Sequence, residues 1–373
     1  MKKNIEIGKF FSGSPHLSNI IIICTFIPKN TLMKASALSG LFLFLLFSCG
    51  SNTAYSQVCC EPGKPTRYQV PATAYDTILA SRIRVLQLPE RYRNKSLPPA
   101  VDNSAFIYFP GIYDQYMFFS CQQYASITYL FAYEMNRLRN VSANHAETRY
   151  PAHYTWNFMN YGEQFVGVNF LQSFHALMQQ GQMNRADYGY DTAMCHVGWI
   201  SGYDKYERSF PNRVLKVNSI PVTTEDGILT LKHFLHDHLD GSATGGMACF
   251  TADGLANIAV IPEGSPEAGK HIVVTWQPWA THGMTIVGYN DTIRYDINGD
   301  GQFTNNIDIT GDGKTDVRDW EIGAFKFANS YGTWWADAGY GYALYSSFAH
   351  EFEEGGVWNN CVYVVQPDTA YHP

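Results

Sequence analysis

Four side chains in this sequence have the types and the order needed for nucleophilic chemistry at a carbonyl. Cys121 lies in DQYMFFSCQQYASITYLFAYEM, where a polar segment gives way to an apolar stripe. Tyr124, Ile127, Phe131, Met135 and Leu138 recur at steps of three and four, which predicts an amphipathic helix over 121–138. Ser120 and Gln123 have the spacing of a capping box, which puts Cys121 in the first turn. The unpaired N–H groups and the dipole there favour thiolate, the nucleophilic form of cysteine. The same residue also reads as a small buried apolar side chain, and the segment alone leaves both readings open. A thiolate needs a base, a group to orient that base, and an oxyanion donor. His282 stands at the mouth of an apolar strand in ATHGMTIVGYND, and Asn329 stands at a strand end in FANSYGTWWADAGYGYAL. Gln115, six residues before Cys121, is near enough in sequence to aim an amide at the same site.

Two kinds of element must hold these residues. Helices are expected at 121–138, at 164–180 with Gly181 as a stop, and at 225–239 after Thr223 and Thr224. From about 245 the runs GGMACF, HIVVTW, HGMTIVGY, AFKFANS, GYALYS and CVYVVQP are short, β-branched and aromatic, which predicts strands. Helices followed by strands imply segregated layers, an α+β arrangement.

Taken together, Leu97 to about Gln366 resembles the papain-like cysteine peptidases. Leu97-Pro98, Val101-Asp102, Gln115 and Cys121 follow the order of that family's mature N-terminus. His282-Gly-Met-Thr-Ile-Val-Gly-Tyr is similar to its histidine strand, and Asn329-Ser-Tyr-Gly-Thr-Trp-Trp-Ala-Asp-Ala-Gly-Tyr to its asparagine segment. The resemblance implies a helical subdomain bearing the cysteine against a β-barrel-like subdomain bearing the histidine, with the cleft between them. It also implies roles in peptide hydrolysis: Cys121 as nucleophile, His282 as acid and base, Asn329 as orienter, Gln115 as oxyanion donor. The substrate would be a peptide or protein. The family's Gly-Ser-Cys-Gly-Ser-Cys-Trp is replaced here by Tyr116-Met117-Phe118-Phe119-Ser120-Cys121-Gln122, so one family disulfide cannot form and Tyr116 and Phe119 narrow the cleft. Tyr331 stands where the family usually has tryptophan. A degenerate relative that binds without cleaving is the alternative.

Between His282 and Asn329 lies an acidic insertion at 292–321, in which Asp-Ile-x-Gly-Asp-Gly occurs at Asp296 and again at Asp308. Calcium takes oxygen ligands at alternate loop positions, with glycine at the sharp turn. Asp308, Thr310, Asp312, the Lys314 carbonyl, Asp316 and Asp319 fill positions one, three, five, seven, nine and twelve. The segment resembles a dockerin-type calcium loop and predicts a structural Ca2+. In the first copy, Asp296, Asn298 and Asp300 are suitable, but Ile307 occupies the twelfth place, so Asp308 would serve both copies or water would substitute.

The chain has 373 residues, 46% of them apolar, with a formal charge of −7 and no basic run, which excludes nucleic acid as the expected partner. From Met33 a lysine, an apolar core to Phe47 and small residues at 48–50 have the layout of a bacterial secretory signal over 33–50. Leu46-Phe47-Ser48-Cys49 also resembles a lipoprotein box, with a lipid anchor at Cys49, while a cut near Ala54–Gln57 is the alternative. Residues 1–32 read as an unused upstream start, 51–96 as a linker or short pro-region, and 97–373 as the peptidase domain. Export to the medium or the cell surface follows, with no membrane span expected after the leader. Of eight cysteines, Cys24 and Cys49 fall in the leader, and the pairing of the others is not assigned. HFLHDH, with His233, His236 and His238, lacks partners at zinc-ligand spacing and is expected to be a solvated helix face.

Overall fold

In the computed structural model, the described residues are 74–368 apart from 162, 164, 190–202 and 255. The leader, Cys49, Cys59, Cys60, Cys195 and His196 lie outside them. The first elements are helix α1 (Ala74–Ser81) and strands β1 (Arg84–Val85) and β2 (Ala100–Asp102). Helix α2 follows as three continuous pieces, Cys121–Gln123, Tyr124–Phe131 and Ala132–Arg139. Its middle piece is a π-helix, whose i→i+5 bonds widen the turn. The Thr285 hydroxyl enters there and donates to the Ala125 carbonyl at 2.8 Å. Asn140, with φ 52°, ends the helix in the left-handed conformation that asparagine tolerates.

Helices α3 (Ala152–Met159), α4 (Phe170–Gln180), α5 (Arg185–Tyr188), α6 (Tyr203–Glu207) and α7 (Glu225–Asp237) complete the helical part. Two boundaries differ from expectation for local reasons. Helix α4 starts late because Asn169 Oδ1 accepts the Leu171 N–H at 2.9 Å and so caps it there. Helix α7 stops early because His238 and Leu239 have φ of 58° and 60°. Nor is HFLHDH a solvated face. His233 is fully buried, edge-on to Tyr92 at 5.0 Å, and Asp237 is buried as well.

Strands β3 (Val214–Pro221), β4 (Ala248–Ala252), β5 (Asn257–Val260), β6 (His271–Thr275), β7 (His282–Arg294), β8 (Ile322–Ala328), β9 (Tyr340–Leu344) and β10 (Cys361–Pro367) join the first two in one ten-stranded sheet. A short helix α8 (Tyr345–Ala349) follows β9. The strand order is β1-β3-β10-β4-β7-β8-β9-β6-β5, with β2 added on β7. The β part is therefore an open sheet and not a closed barrel, because β1 and β5, at its two ends, do not pair with each other. Alternate residues of β10 serve two cores, as the period of a strand requires. Tyr363 and Val365 pack with α2 and α4, while Val362 and Val364 pack with α7 and Phe250.

Residues 74–96, expected as linker or pro-region, are built into this body where they are described. The Asp76 carboxylate is buried and accepts from Gln172 Nε2 at 2.7 Å. β1 runs parallel to β3, with Arg84 opposite Asn218, and Leu88 and Tyr92 enter the core around α7. Burying those two side chains contributes about 1.5–3 kcal/mol each, more than a solvated linker would supply.

Candidate active site

Cys121 is the first residue of α2 and is fully buried. The capping box expected in front of it does not form. Ser120 makes no side-chain cap, and its Oγ lies 3.4 Å from His153 Nε2. Gln123 instead donates to the Val168 carbonyl at 2.8 Å and to Ser173 Oγ at 3.0 Å, tying α2 to α4. The first-turn position stands all the same, with the Gln123 N–H donating to the Ser120 carbonyl at 3.0 Å.

His282 opens β7 and pairs with Ala252 of β4. What lets β7 come down onto α2 is the next residue. A Cβ on Gly283 would lie 2.8 Å from Gln122 Cα and 3.2 Å from Gln122 N, so only glycine allows the strand so near the helix backbone. Gln122 Oε1 then accepts from Thr251 Oγ1 at 3.1 Å, a second tie across the same junction.

Asn329 follows β8. Its N–H donates to the Gly339 carbonyl at 2.9 Å, and its own carbonyl accepts the Tyr129 hydroxyl of α2 at 3.0 Å. Thus clamped, its Oδ1 lies 2.7 Å from His282 Nε2. Gln115 reaches the same place through a bridge between Asp114 and Tyr331. Its N–H donates to the Ser330 carbonyl at 2.8 Å, and its Oε1 accepts from Ser330 Oγ at 2.6 Å. Its Nε2 donates to the Phe118 carbonyl at 2.8 Å, which leaves a second amide hydrogen for an incoming oxygen. Beside it a cavity of about 420 Å³ is lined in part by Asp114, Tyr116, Arg149 and Arg185. The larger apolar groove between α1, α4 and β3 contains none of the four site residues.

The electrostatics differ from the sequence expectation. Burial pushes the Cys121 thiol up to about 12, although nearby backbone, Gly283 foremost, pulls the other way. Burial likewise lowers His282 to about 4, against the opposing bond from Asn329. The resting pair is therefore thiol and neutral imidazole: loss of water outweighs the helix terminus. Tyr116 and Phe119, expected to narrow the cleft, are half-buried and buried. Tyr116 packs with Phe118 and Trp156, and Phe119 lies edge-on to Phe165 at 5.6 Å.

Among the described residues Cys249 and Cys361 are free thiols. The comparisons with known proteins agree with the architecture. Xylellain, a cysteine protease from Xylella fastidiosa, aligns over 82% of this chain and 97% of its own at 14% identity, with a TM-score of 0.51. The fold is papain-like. Digestive procathepsin L2 from Tenebrio molitor larval midgut aligns over 90% and 95% at 14% identity, with a TM-score of 0.48. Bromelain from Ananas comosus aligns over 73% and 100% at 12%, with a TM-score of 0.44. No family model matches the sequence, and no curated protein matches it. Among the described residues no helix is long and apolar enough to cross a membrane.

The insertion of this papain-like chain is folded over its own backbone. Asp308 accepts the N–H groups of Gly311 and Gly313 at 2.7 and 2.8 Å. Asp319 accepts those of Ile309, Thr310 and Asp316, each at 2.9 Å. Thr310 Oγ1 lies 3.3 Å from Asp308, while Asp312 and Asp316 hold Arg318, and Lys314 N–H donates to Asp312 at 2.9 Å. In the first copy Asp296 accepts from Gly299, Asp300 and Gly301, and Asn298 from Asp300. Glu321 closes that copy by accepting from Ile297 and Thr304 at 2.8 Å, as Asp319 closes the second from Ile309 and Asp316. With Ile307 at the twelfth place, the sequence pointed to Asp308 or water and missed Glu321, because it lies outside the twelve-residue frame. Among the described residues no three acidic, histidine or cysteine side chains are arranged to hold a metal.

Proposed function

We propose that this protein is a cysteine peptidase working through Cys121, His282, Asn329 and Gln115. The observation that carries the reading is the 2.7 Å bond between His282 and Asn329, formed on the strand that Gly283 allows onto the first turn of α2. In this scheme the Cys121 thiol passes its proton to His282 and the sulfur attacks the peptide carbonyl. The resulting oxyanion accepts from the remaining Gln115 N–H and from the Cys121 backbone N–H. His282 then returns the proton to the departing amine, leaving a thioester. Water, deprotonated by His282, hydrolyses that thioester and restores the thiol. Asn329 holds the imidazole by its Nε2 edge throughout.

The test is labelling of the mature protein with a thiol-directed epoxide, alongside peptide turnover, in wild type and Cys121→Ala. Label on Cys121 and turnover lost in a folded mutant are expected; equal labelling of both proteins overturns the assignment. The complete burial of Cys121 favours one competing reading, a binding protein that kept the fold. Slow labelling that no peptide accelerates, with no turnover, would support it.

We further propose that the insertion binds calcium as a structural ion. Asp308, Thr310, Asp312, the Lys314 carbonyl, Asp316 and Asp319 would hold it in the second loop, with Arg318 leaving Asp312 and Asp316. Asp296, Asn298 and Asp300, with Glu321 behind them, form the first. Export, with cleavage after the leader or a lipid on Cys49, completes the proposal; intact mass of protein from cells tests it, and retention of residues 1–32 overturns it.

A further inference from the structure

Asn329 fixes the tautomer of His282. Its Oδ1 accepts the backbone N–H of Ser330 at 2.7 Å, so that atom is the oxygen and not the amide nitrogen. The same oxygen meets His282 Nε2 at 2.7 Å, and an oxygen acceptor requires the proton to be on Nε2. A neutral imidazole then carries its lone pair on Nδ1. That lone pair is already engaged. Tyr331 Oη lies 3.2 Å from Nδ1, with the two rings stacked at 4.4 Å and 25°. Between two neutral groups the phenol must be the donor. Burial holds the phenol's acidity far below that of free tyrosine. Room for the hydroxyl comes from Gly254, where a Cβ would lie 3.2 Å from Oη.

We propose that Tyr331 is a proton gate: its hydroxyl holds the Nδ1 lone pair at rest and must release it before Cys121 can ionise. The inference rests on reading Cys121 and His282 as nucleophile and base. In the gated step the S–H bond breaks and an Nδ1–H bond forms, giving thiolate and imidazolium, while the phenol keeps its proton. Tyr331 is thus a positioning residue that sets the resting protonation state. Other titratable groups face the pair from neighbouring elements. Asp253, after β4, accepts the Thr281 hydroxyl at 2.8 Å. His153 of α3, behind Ser120, is held neutral by burial, down to about 4. Neither touches Nδ1 in the hydrogen bonds described, so among the described residues Tyr331 is the group that competes with the thiol for it.

The experiment follows the rate of iodoacetamide alkylation at Cys121 from pH 4 to 10 in the mature protein, located by peptide mass, with melting curves as a check on folding. Tyr331→Phe keeps the stacked ring and removes the donor. It should alkylate about five- to tenfold faster near pH 6–7, the factor one net hydrogen bond corresponds to, with its profile displaced to lower pH. Gly254→Ala, which crowds the hydroxyl without removing it, should move the profile in the same direction. A folded Tyr331→Phe that alkylates at the wild-type rate, or more slowly, overturns the gate while leaving the peptidase reading intact. Failure of Cys121 to alkylate in every protein, at every pH, overturns both.

Discussion

Gly283→Ala tests whether the junction of β7 and α2 sets the chemistry. The added Cβ would lie 2.8 Å from Gln122 Cα and 3.2 Å from Gln122 N, where ordinary contact begins near 3.4 Å. Backbone cannot rotate away as a side chain can, so strand and helix must part by about 0.6 Å at the nearer atom, the shortfall from ordinary contact. Overpacking of this kind costs about 1–3 kcal/mol. At about 2–4 °C per kcal/mol for a domain of this general size, the melting temperature should fall by several degrees. His282 adjoins the inserted atom and Cys121 adjoins its contact, so the parting falls on the proposed reacting pair. A misplacement near 1 Å costs about a hundredfold in rate, so a loss of about ten- to a hundredfold in kcat/KM is expected. Turnover of a fluorogenic peptide and differential scanning calorimetry measure the two quantities. Wild-type turnover from Gly283→Ala, whether or not it melts lower, would refute the idea that this contact fixes the pair.

Other outcomes follow from the same geometry. His282→Ala removes the proton carrier and should lower kcat/KM by about 10²–10⁴-fold. Asn329→Ala leaves a buried Nε2–H without its acceptor, about 1–3 kcal/mol or roughly ten- to a hundredfold; a larger loss at Asn329 would contradict the assigned roles. Acid should destabilise the fold between about pH 6.5 and 4, because burial lowers both His153 and His282 to about 4. In that window the unfolded chain binds more protons than the native one, so stability is full above the window and lost on descending through it. Melting temperatures taken across the window check this, and a flat curve contradicts it. Calcium at a hundred times its dissociation constant should add about 2.7 kcal/mol, so chelation should lower the melting temperature and Asp312→Ala should abolish the response. Identical melting curves in chelator and in calcium would leave Arg318 as the only cation on Asp312 and Asp316.

Much of the candidate site was legible because its marks are local. A cysteine at the start of an apolar stripe, a histidine opening an apolar strand and an asparagine before an aromatic-glycine run are each set by a few neighbouring residues. The same holds for the α+β order, since periods of 3.6 and two are written along the chain. The helix stop at Gly181 and the start at Thr224 are local for the same reason. What the sequence could not determine depends on which distant groups share one volume. Ser120 and Gln123 have capping-box spacing, but Gln123 finds better partners at Val168 before α4 and at Ser173 on it, 45 and 50 residues away. Residues 74–96 look solvated by composition, yet the edge of β3 and the core under α7 take them in. A helix terminus favours thiolate, but complete burial reverses that, and burial belongs to the fold and not to the segment. Tyr331 reads only as an aromatic neighbour of Asn329 until β7 and β8 set its hydroxyl on His282, across 49 residues of chain. Tertiary structure decides these points because desolvation and hydrogen-bond competition depend on every group within a few ångströms, and sequence separation does not measure that distance.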